Sequence, residues 1–184
     1  MQKKTVKIIA LLLFTVFYAL VLTGHYIRMR QAYAPVELSA AAPEFSWQDK
    51  DGKSHMLSEL KGHPVVVHFW AAWCNPCRAE FPNLLSHAAT LGKDVIVFAV
   101  SNDPDPAKAQ KFIHQVETST GVKTPDNMIY IFDSKGAVTY NMFQTMAFPE
   151  TIFVDSTLHM RRKVPGPVDW GSEDTRKYLA RMKL

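Results

Sequence analysis

The two cysteines of this 184-residue chain lie in one four-residue window, Cys74-Asn75-Pro76-Cys77. A disulfide across so short a loop adds little stability, because closing it removes only about 2 kcal/mol of unfolded-state entropy. Structural zinc is the other common use of Cys-x-x-Cys, but it needs four ligands, and no His-x3–5-His pair follows the window. The almost wholly apolar residues 64–70 before it are typical of a buried strand. This pattern favours thiol–disulfide exchange over a metal site or an inert pair.

The N-terminal segment has the length of a membrane span. Residues 8–27 are uncharged, and twenty helical residues at 1.5 Å each cross a hydrocarbon core of about 30 Å. A cleaved signal peptide is the alternative, since residues 32–34 read Ala-Tyr-Ala, but Pro35 follows that site. We expect residues 1–30 to be an uncleaved anchor. Three lysines precede the span and two arginines follow it, which favours a cytoplasmic N-terminus and an extracytoplasmic remainder.

The net charge of +4 belongs to the anchor region. From Gln31 onward, 16 basic residues face 17 acidic ones, a net of −1. A nucleic-acid surface needs a basic patch on the folded part, and only Arg161-Arg162-Lys163 clusters there, so we expect no nucleic-acid partner. Residues 31–42 are rich in alanine and proline and predict a linker. Residues 43–184 are enough for one domain with its own core.

Alternating strand and helix patterns follow the linker. Residues 44–48 and 53–56 flank Asp51-Gly52, which predicts a β-hairpin. Strands are predicted at residues 64–70, 95–100, 129–132, 151–154 and 158–163, and helices at 79–91, at 107–117 and from 172 onward. This order predicts an α/β fold with a mixed central sheet flanked by helices, an N-terminal hairpin extension and a single transmembrane anchor.

The window predicts an asymmetric pair of sulfurs. Because a residue before proline avoids the α conformation, we expect Asn75 to be extended and to cap a helix whose first turn contains Pro76. Cys74 then lies just outside the helix, where the positive end of the helix dipole favours a thiolate, and Cys77 lies just inside. In the predicted mechanism Cys74 attacks a target disulfide and Cys77 resolves the mixed disulfide. The protein is left oxidised, and an upstream donor must reduce it.

Two further residues are candidates for proton transfer. Glu80 follows Cys77 by three residues on the same helix face, where it can exchange a proton with the buried thiol or be an exposed acid of the first turn. His68 lies in the predicted central strand, and is either a satisfied core residue or a proton-transfer group near the sulfurs. Residue spacing alone decides neither case.

Residues 67–82, Val-His-Phe-Trp-Ala-Ala-Trp-Cys-Asn-Pro-Cys-Arg-Ala-Glu-Phe-Pro, resemble the active-site segment of TlpA/ResA-like membrane-anchored thioredoxins. The CcmG/DsbE reductants of cytochrome c maturation are close relatives of that family. Residues 42–46 and 57–62 are similar to its amino-terminal hairpin segment, residues 148–155 to its cis-proline segment, and Gly166-Pro167 to the approach to its last helix. The resemblance covers nearly everything from Ala42 onward.

The resemblance implies a thioredoxin-like fold and a set of site residues. Pro149 is implied as the cis-proline facing the sulfurs, and Glu80 as the acid beside them, which gives Cys74, Cys77, Glu80 and Pro149 as the catalytic set without cofactor or metal. His68 departs from the pattern, because thioredoxins carry an aspartate at its position and the anchored relatives usually an asparagine. The reduction potential of the family therefore does not transfer simply to this chain.

The resemblance also implies partners and a location. The implied substrate is a disulfide-bonded protein, with apocytochrome c as the candidate, and the implied electron donor is a membrane thiol protein. The implied location is the cell membrane, crossed once, with the catalytic domain on the periplasmic or extracytoplasmic side. Three alternatives stay open: a copper-binding module with Cys74, Cys77 and a nearby histidine or methionine as Cu(I) ligands, a thiol peroxidase, and a domain that only tethers a partner.

Overall fold

The computed structural model describes residues 2–182. The chain divides into two compact units, and the boundary falls between residues 34 and 35. The first unit is the helix α1, Gln2–Ala32. Its segment Lys7–Arg28 is long and apolar enough to cross a membrane, a property that signal sequences share. A single-pass anchor fits this segment.

The second unit is an α/β domain. Its strands in chain order are β1 (Val36–Ala41), β2 (Ser46–Gln48), β3 (Ser54–Met56), β4 (Val65–Trp70), β5 (Ile96–Ser101), β6 (Met128–Phe132), β7 (Glu150–Val154) and β8 (His159–Pro165). Its helices are α2 (Asn75–Thr90), α3 (Pro106–Thr120) and α4 (Glu173–Met182), with a 3-10 turn at Leu57–Leu60 and a π-helical turn at Ala137–Met142.

The six-stranded sheet has the order β1-β8-β7-β4-β5-β6. The pairs β4–β5 and β5–β6 are parallel, and β4–β7, β7–β8 and β1–β8 are antiparallel. The strands β2 and β3 form a separate antiparallel hairpin. The predicted α/β fold, with its mixed sheet, flanking helices and N-terminal hairpin, is confirmed.

One edge of the sheet differs from the prediction. The strand β1 lies within residues 31–42, where the sequence predicts a linker, and its residues Val36 and Ala41 pair with Lys163 and His159 of β8. Nearly all of its side chains are exposed, so it has no alternation of apolar and polar residues. Backbone pairing and the ion pair between Glu37 and Arg162 hold it, and hydrophobic periodicity detects neither.

The side chains of β4 alternate between two cores. Val66 and Trp70 belong to the core formed with α2, α3 and α4, which we call the helical core. Val65, Val67 and Phe69 belong to the opposite core, formed with the hairpin, the 3-10 turn and the π-helical turn, which we call the hairpin core. His68 faces the helical core, since successive residues of a strand point to opposite faces. The cysteines also lie in the helical core.

Candidate active site

The two cysteines form a disulfide at the junction of β4 and α2. The Sγ–Sγ distance is 2.06 Å and the Cα atoms are 5.3 Å apart. Cys77 is completely buried, whereas Cys74 keeps 5% of its surface exposed. Cys74 is therefore the more accessible of the two cysteines, and the order of attack, Cys74 first and Cys77 second, stays a prediction.

Cys74 also caps the helix that carries the site. Its backbone is extended (φ −85°, ψ 109°), and its Sγ accepts a hydrogen bond from the Cys77 N–H at 3.3 Å. The expectation that Asn75 is extended and caps the helix is wrong, because α2 already begins at Asn75. Proline restrains its predecessor only as a tendency, and here the extended residue lies one position earlier. Pro76 lies in the first turn as predicted.

The loop between β4 and α2 is fixed by the end of the neighbouring strand. Asp103 Oδ2 accepts hydrogen bonds from the Ala72 N–H and from the Ser101 hydroxyl, both at 2.8 Å. The Asn102 N–H donates to the Trp70 carbonyl at 2.9 Å. Sequence reasoning missed Asp103, although its place directly after a buried parallel strand is where functional residues of α/β sheets collect.

The peptide bond between Phe148 and Pro149 is cis. Pro149 is buried directly before β7, and its carbonyl accepts a hydrogen bond from the Gly166 N–H at 2.8 Å. The Phe148 ring contacts the Trp73 ring edge to face, with centroids 5.7 Å apart. The cis-proline segment thus lies against the residue that precedes Cys74, and a catalytic role for Pro149 stays a prediction.

Glu80 is buried on the face of α2 that carries Cys77, and is 5% exposed. Its Oε1 accepts hydrogen bonds from the Trp170 indole N–H at 2.6 Å and from the Val168 N–H at 3.0 Å. Burial outweighs these two bonds and raises the pKa of Glu80 to about 7. The carboxyl is therefore able to take up and release a proton near neutral pH, and it is not an exposed acid of the first turn.

His68 is completely buried beneath the site. Its Nδ1 is 2.9 Å from Thr151 Oγ1, and its ring meets the Trp170 ring edge to face at 6.0 Å. Burial lowers the pKa of His68 to about 3, so the imidazole is neutral at physiological pH. Its Nε2 and Glu80 Oε2 are both buried without a hydrogen-bond partner among the described residues. Trp170, which contacts both side chains, was not identified from the sequence.

The described residues contain no group of three or more histidine, cysteine, aspartate or glutamate side chains placed to hold a metal ion. The copper-binding alternative therefore has two sulfurs to offer without a third ligand of those types among residues 2–182. Disulfide exchange needs only the two sulfurs.

The sequence of the chain is similar to a known protein family and to proteins with assigned names. Residues 38–163 match the AhpC/TSA family. ResA of Bacillus subtilis (strain 168), a thiol-disulfide oxidoreductase, is 34% identical over 87 residues, which are 46% of this chain and 45% of ResA. The thiol:disulfide interchange protein DsbE of Pseudomonas fluorescens biotype C is 30% identical over 131 residues, 70% of this chain and 67% of DsbE.

Solved structures show the same fold. The crystal structure of a Chlorobium tepidum protein assigned as thiol:disulfide interchange protein DsbE superposes with a TM-score of 0.65 and 25% identity, covering 81% of this chain and 99% of that protein. Against ResA, by contrast, the match spans less than half of the relative's length.

Proposed function

The chain belongs to the AhpC/TSA family, and from this premise we propose that it is a thiol–disulfide oxidoreductase that reduces protein disulfides. One observation carries the proposal: a cysteine pair closes at the start of a helix, with Cys74 keeping 5% of its surface exposed and Cys77 completely buried. The relatives named ResA and DsbE support it.

The proposed reaction moves two electrons from the cysteine pair to the substrate. The Cys74 thiolate attacks one sulfur of a substrate disulfide, forms a mixed disulfide and expels the other substrate sulfur as a thiolate. The Cys77 thiolate then attacks Cys74 Sγ, which closes the Cys74–Cys77 bond and expels the second substrate sulfur. Each expelled thiolate takes up a proton. The disulfide in the structure is the product state, which a dithiol donor must reduce before the next turnover.

Glu80 is the proposed proton acceptor for the second step. Cys77 must lose its thiol proton before it attacks, and it is buried away from water. Glu80 lies one turn along the same helix face and has a pKa of about 7, near the value that favours general base catalysis at neutral pH. The Trp170 and Val168 N–H groups fix one carboxylate oxygen and leave Oε2 available for the proton.

The proposed location is the extracytoplasmic side of the cell membrane, with α1 as a single-pass anchor and a membrane thiol protein as electron donor. The apolar segment Lys7–Arg28 and the charges on either side of it support this orientation. Apocytochrome c, whose haem-binding cysteines must be reduced, is the proposed substrate, and the resemblance to cytochrome c maturation reductants supports it.

Trapping of the mixed disulfide tests the proposal. The variant Cys77→Ser keeps the attacking sulfur but lacks the resolving one, so we expect substrate proteins to accumulate on Cys74 as adducts that dithiothreitol releases. Non-reducing electrophoresis of membranes followed by mass spectrometry of the adducts measures this.

The double variant Cys74→Ser/Cys77→Ser is the matched control and forms no adducts. The proposed reaction is wrong if Cys77→Ser traps no protein while the wild-type protein still complements a strain from which its gene has been deleted. A domain that only tethers a partner predicts that result, together with full function of Cys74→Ser.

A further inference from the structure

A groove of about 510 Å³ opens beside the active site, between the start of α2 and the first turns of α3. Trp73 and Arg78 line its wall near the cysteines, and Lys108 and Lys111 line its opposite wall. Trp73 is 60% exposed and directly precedes Cys74, one Cα–Cα step of about 3.8 Å away. A polypeptide whose cysteine is bonded to Cys74 therefore places its neighbouring residues at the mouth of this groove.

Three cationic side chains in the groove have no acidic partner among the described residues. The Arg78 guanidinium lies 4.7 Å above the centre of the Phe112 ring and donates to the Ala72 carbonyl at 3.2 Å, which fixes its position. Lys108 and Lys111 are exposed and one turn apart on α3. Within residues 2–182, none of the three cations forms an ion pair.

The two acids of the groove are already engaged. Asp103 is buried, and its Oδ2 holds the Ala72 N–H and the Ser101 hydroxyl. Asp105 caps α3, its Oδ1 accepting from the Ala107 N–H at 3.0 Å. These hydrogen bonds leave the two negative charges in place, so three cations and two carboxylates give the groove a formal net charge of +1, and the cations offer N–H donors to a ligand.

Among residues 2–182, Lys50 and Lys53 also form no ion pair, so what distinguishes the groove is that its three cations lie beside Cys74. On β8, Arg161, Arg162 and Lys163 each pair with an acid, and the domain as a whole is nearly neutral. A net positive charge and exposed N–H donors beside Cys74 favour a substrate of the opposite sign at that place.

We propose that this groove binds acidic residues flanking the target cysteine of a disulfide-bonded polypeptide, and so selects among substrates. The inference rests on the proposed reductase function. Carboxylates on the substrate satisfy the donors of Arg78, Lys108 and Lys111, and salt screens this attraction beyond about 8 Å at physiological ionic strength. The expected preference is about tenfold in kcat/KM, as several partly exposed ion pairs supply.

Two synthetic peptides test the preference. Both carry the same internal disulfide, flanked by two glutamates in one peptide and by two lysines in the other. For the full-length wild type in non-ionic detergent, with a dithiol to recycle it, we expect kcat/KM for the acidic peptide to be about tenfold higher. The ratio approaches one as the salt concentration rises to 1 M. The double reversal Lys108→Glu/Lys111→Glu is expected to invert the ratio.

The reversal Lys50→Glu/Lys53→Glu in the hairpin segment is the matched control, because it changes the net charge equally at exposed sites outside the groove, and it keeps the wild-type ratio. Equal kcat/KM for the two wild-type peptides overturns the inference, as does an unchanged ratio in Lys108→Glu/Lys111→Glu. Neutral hydroxyethyl disulfide distinguishes a failure of the charge preference from a failure of the reductase function. If the wild type reduces neither this compound nor the peptides, the proposed function itself is wrong.

Discussion

The two cores on either side of the central sheet are built differently. The hairpin core is aromatic and aliphatic, with Phe98 fully buried between the rings of Phe45 and Trp47 at centroid distances of 5.2 and 4.8 Å. The helical core contains His68 and Glu80, each with a buried polar atom that no described residue satisfies. Such atoms cost stability. The helical core thus carries a cost in stability at these two positions, and it contains the Glu80 carboxyl that we propose as a proton acceptor.

The largest expected effect is on the hairpin core. Phe98→Ala should lower the free energy of unfolding by about 3–5 kcal/mol, because it removes a fully buried ring and leaves a cavity. Denaturant unfolding of the full-length protein measures this loss. The turnover of the molecules that remain folded should be unchanged, and Phe98→Leu should cost much less. A large loss of turnover in folded Phe98→Ala breaks the division between the two cores.

The next largest effect is on turnover in the helical core. Glu80→Gln keeps an acceptor for the Trp170 and Val168 N–H groups but loses the titratable carboxyl, so we expect turnover at pH 7 to fall about 100-fold. Stopped-flow reduction of a peptide disulfide by the reduced protein separates the two steps, and the second should be the slower one. Wild-type rates in Glu80→Gln would make the buried carboxyl merely structural.

The same substitution should change how stability depends on pH. The pKa of Glu80 is about 7 in the folded protein and near 4.5 when unfolded, so between these values the folded state binds the extra proton. Stability of the wild type therefore falls as pH rises from 4.5 to 7, by up to about 1.4 kcal/mol per pH unit, and levels off above. Glu80→Gln has no carboxyl at this position, so this pH-dependent contribution to the free energy of unfolding is absent. Unfolding at a series of pH values gives the difference, and parallel curves would contradict it.

The smallest effect is expected at His68. With a pKa of about 3, it does not titrate in the range where the protein works, so His68→Asn should leave the pH profile of activity between 5 and 9 unchanged. The unfolding free energy of the wild type should instead fall as pH drops from 6.5 toward 3, because the buried imidazole then resists the proton that the unfolded chain binds. A shift of the activity profile in His68→Asn would give the histidine a direct part in proton transfer.

Much of this arrangement is readable from the residues. Apolar runs and the turn residues between them predict β4, β5 and α2 to within one to four residues, and the cysteine window gives the proposed reacting atoms. Side chains that act across long sequence separations are not readable in this way. The Trp170 indole N–H donates a hydrogen bond to Glu80, ninety residues away in the sequence, and the residues around Trp170 give no local signal of that hydrogen bond.

Features held by backbone geometry are missed for a different reason. The strand β1 buries almost nothing, and the π-helical turn at Ala137–Met142 is preceded by Gly136, whose positive φ of 71° the sequence does not reveal. A Cβ atom there would lie too close to the Tyr140 ring, which also explains the glycine. Periodicity reports burial, so elements fixed by turns and edges escape it.

Cys74 is both the proposed nucleophile and the N-terminal cap of α2, and this combination has a practical consequence. Serine is among the preferred residues at a helix N-cap, and its oxygen is a stronger acceptor than sulfur. Exchanging sulfur for oxygen at position 74 therefore abolishes disulfide exchange and stabilises the start of α2. This stabilisation offsets part of the small loss of unfolding free energy that follows from the missing disulfide. The single substitution Cys74→Ser thus gives an unreactive but well-ordered protein, which acts as a decoy that binds partners without reacting with them.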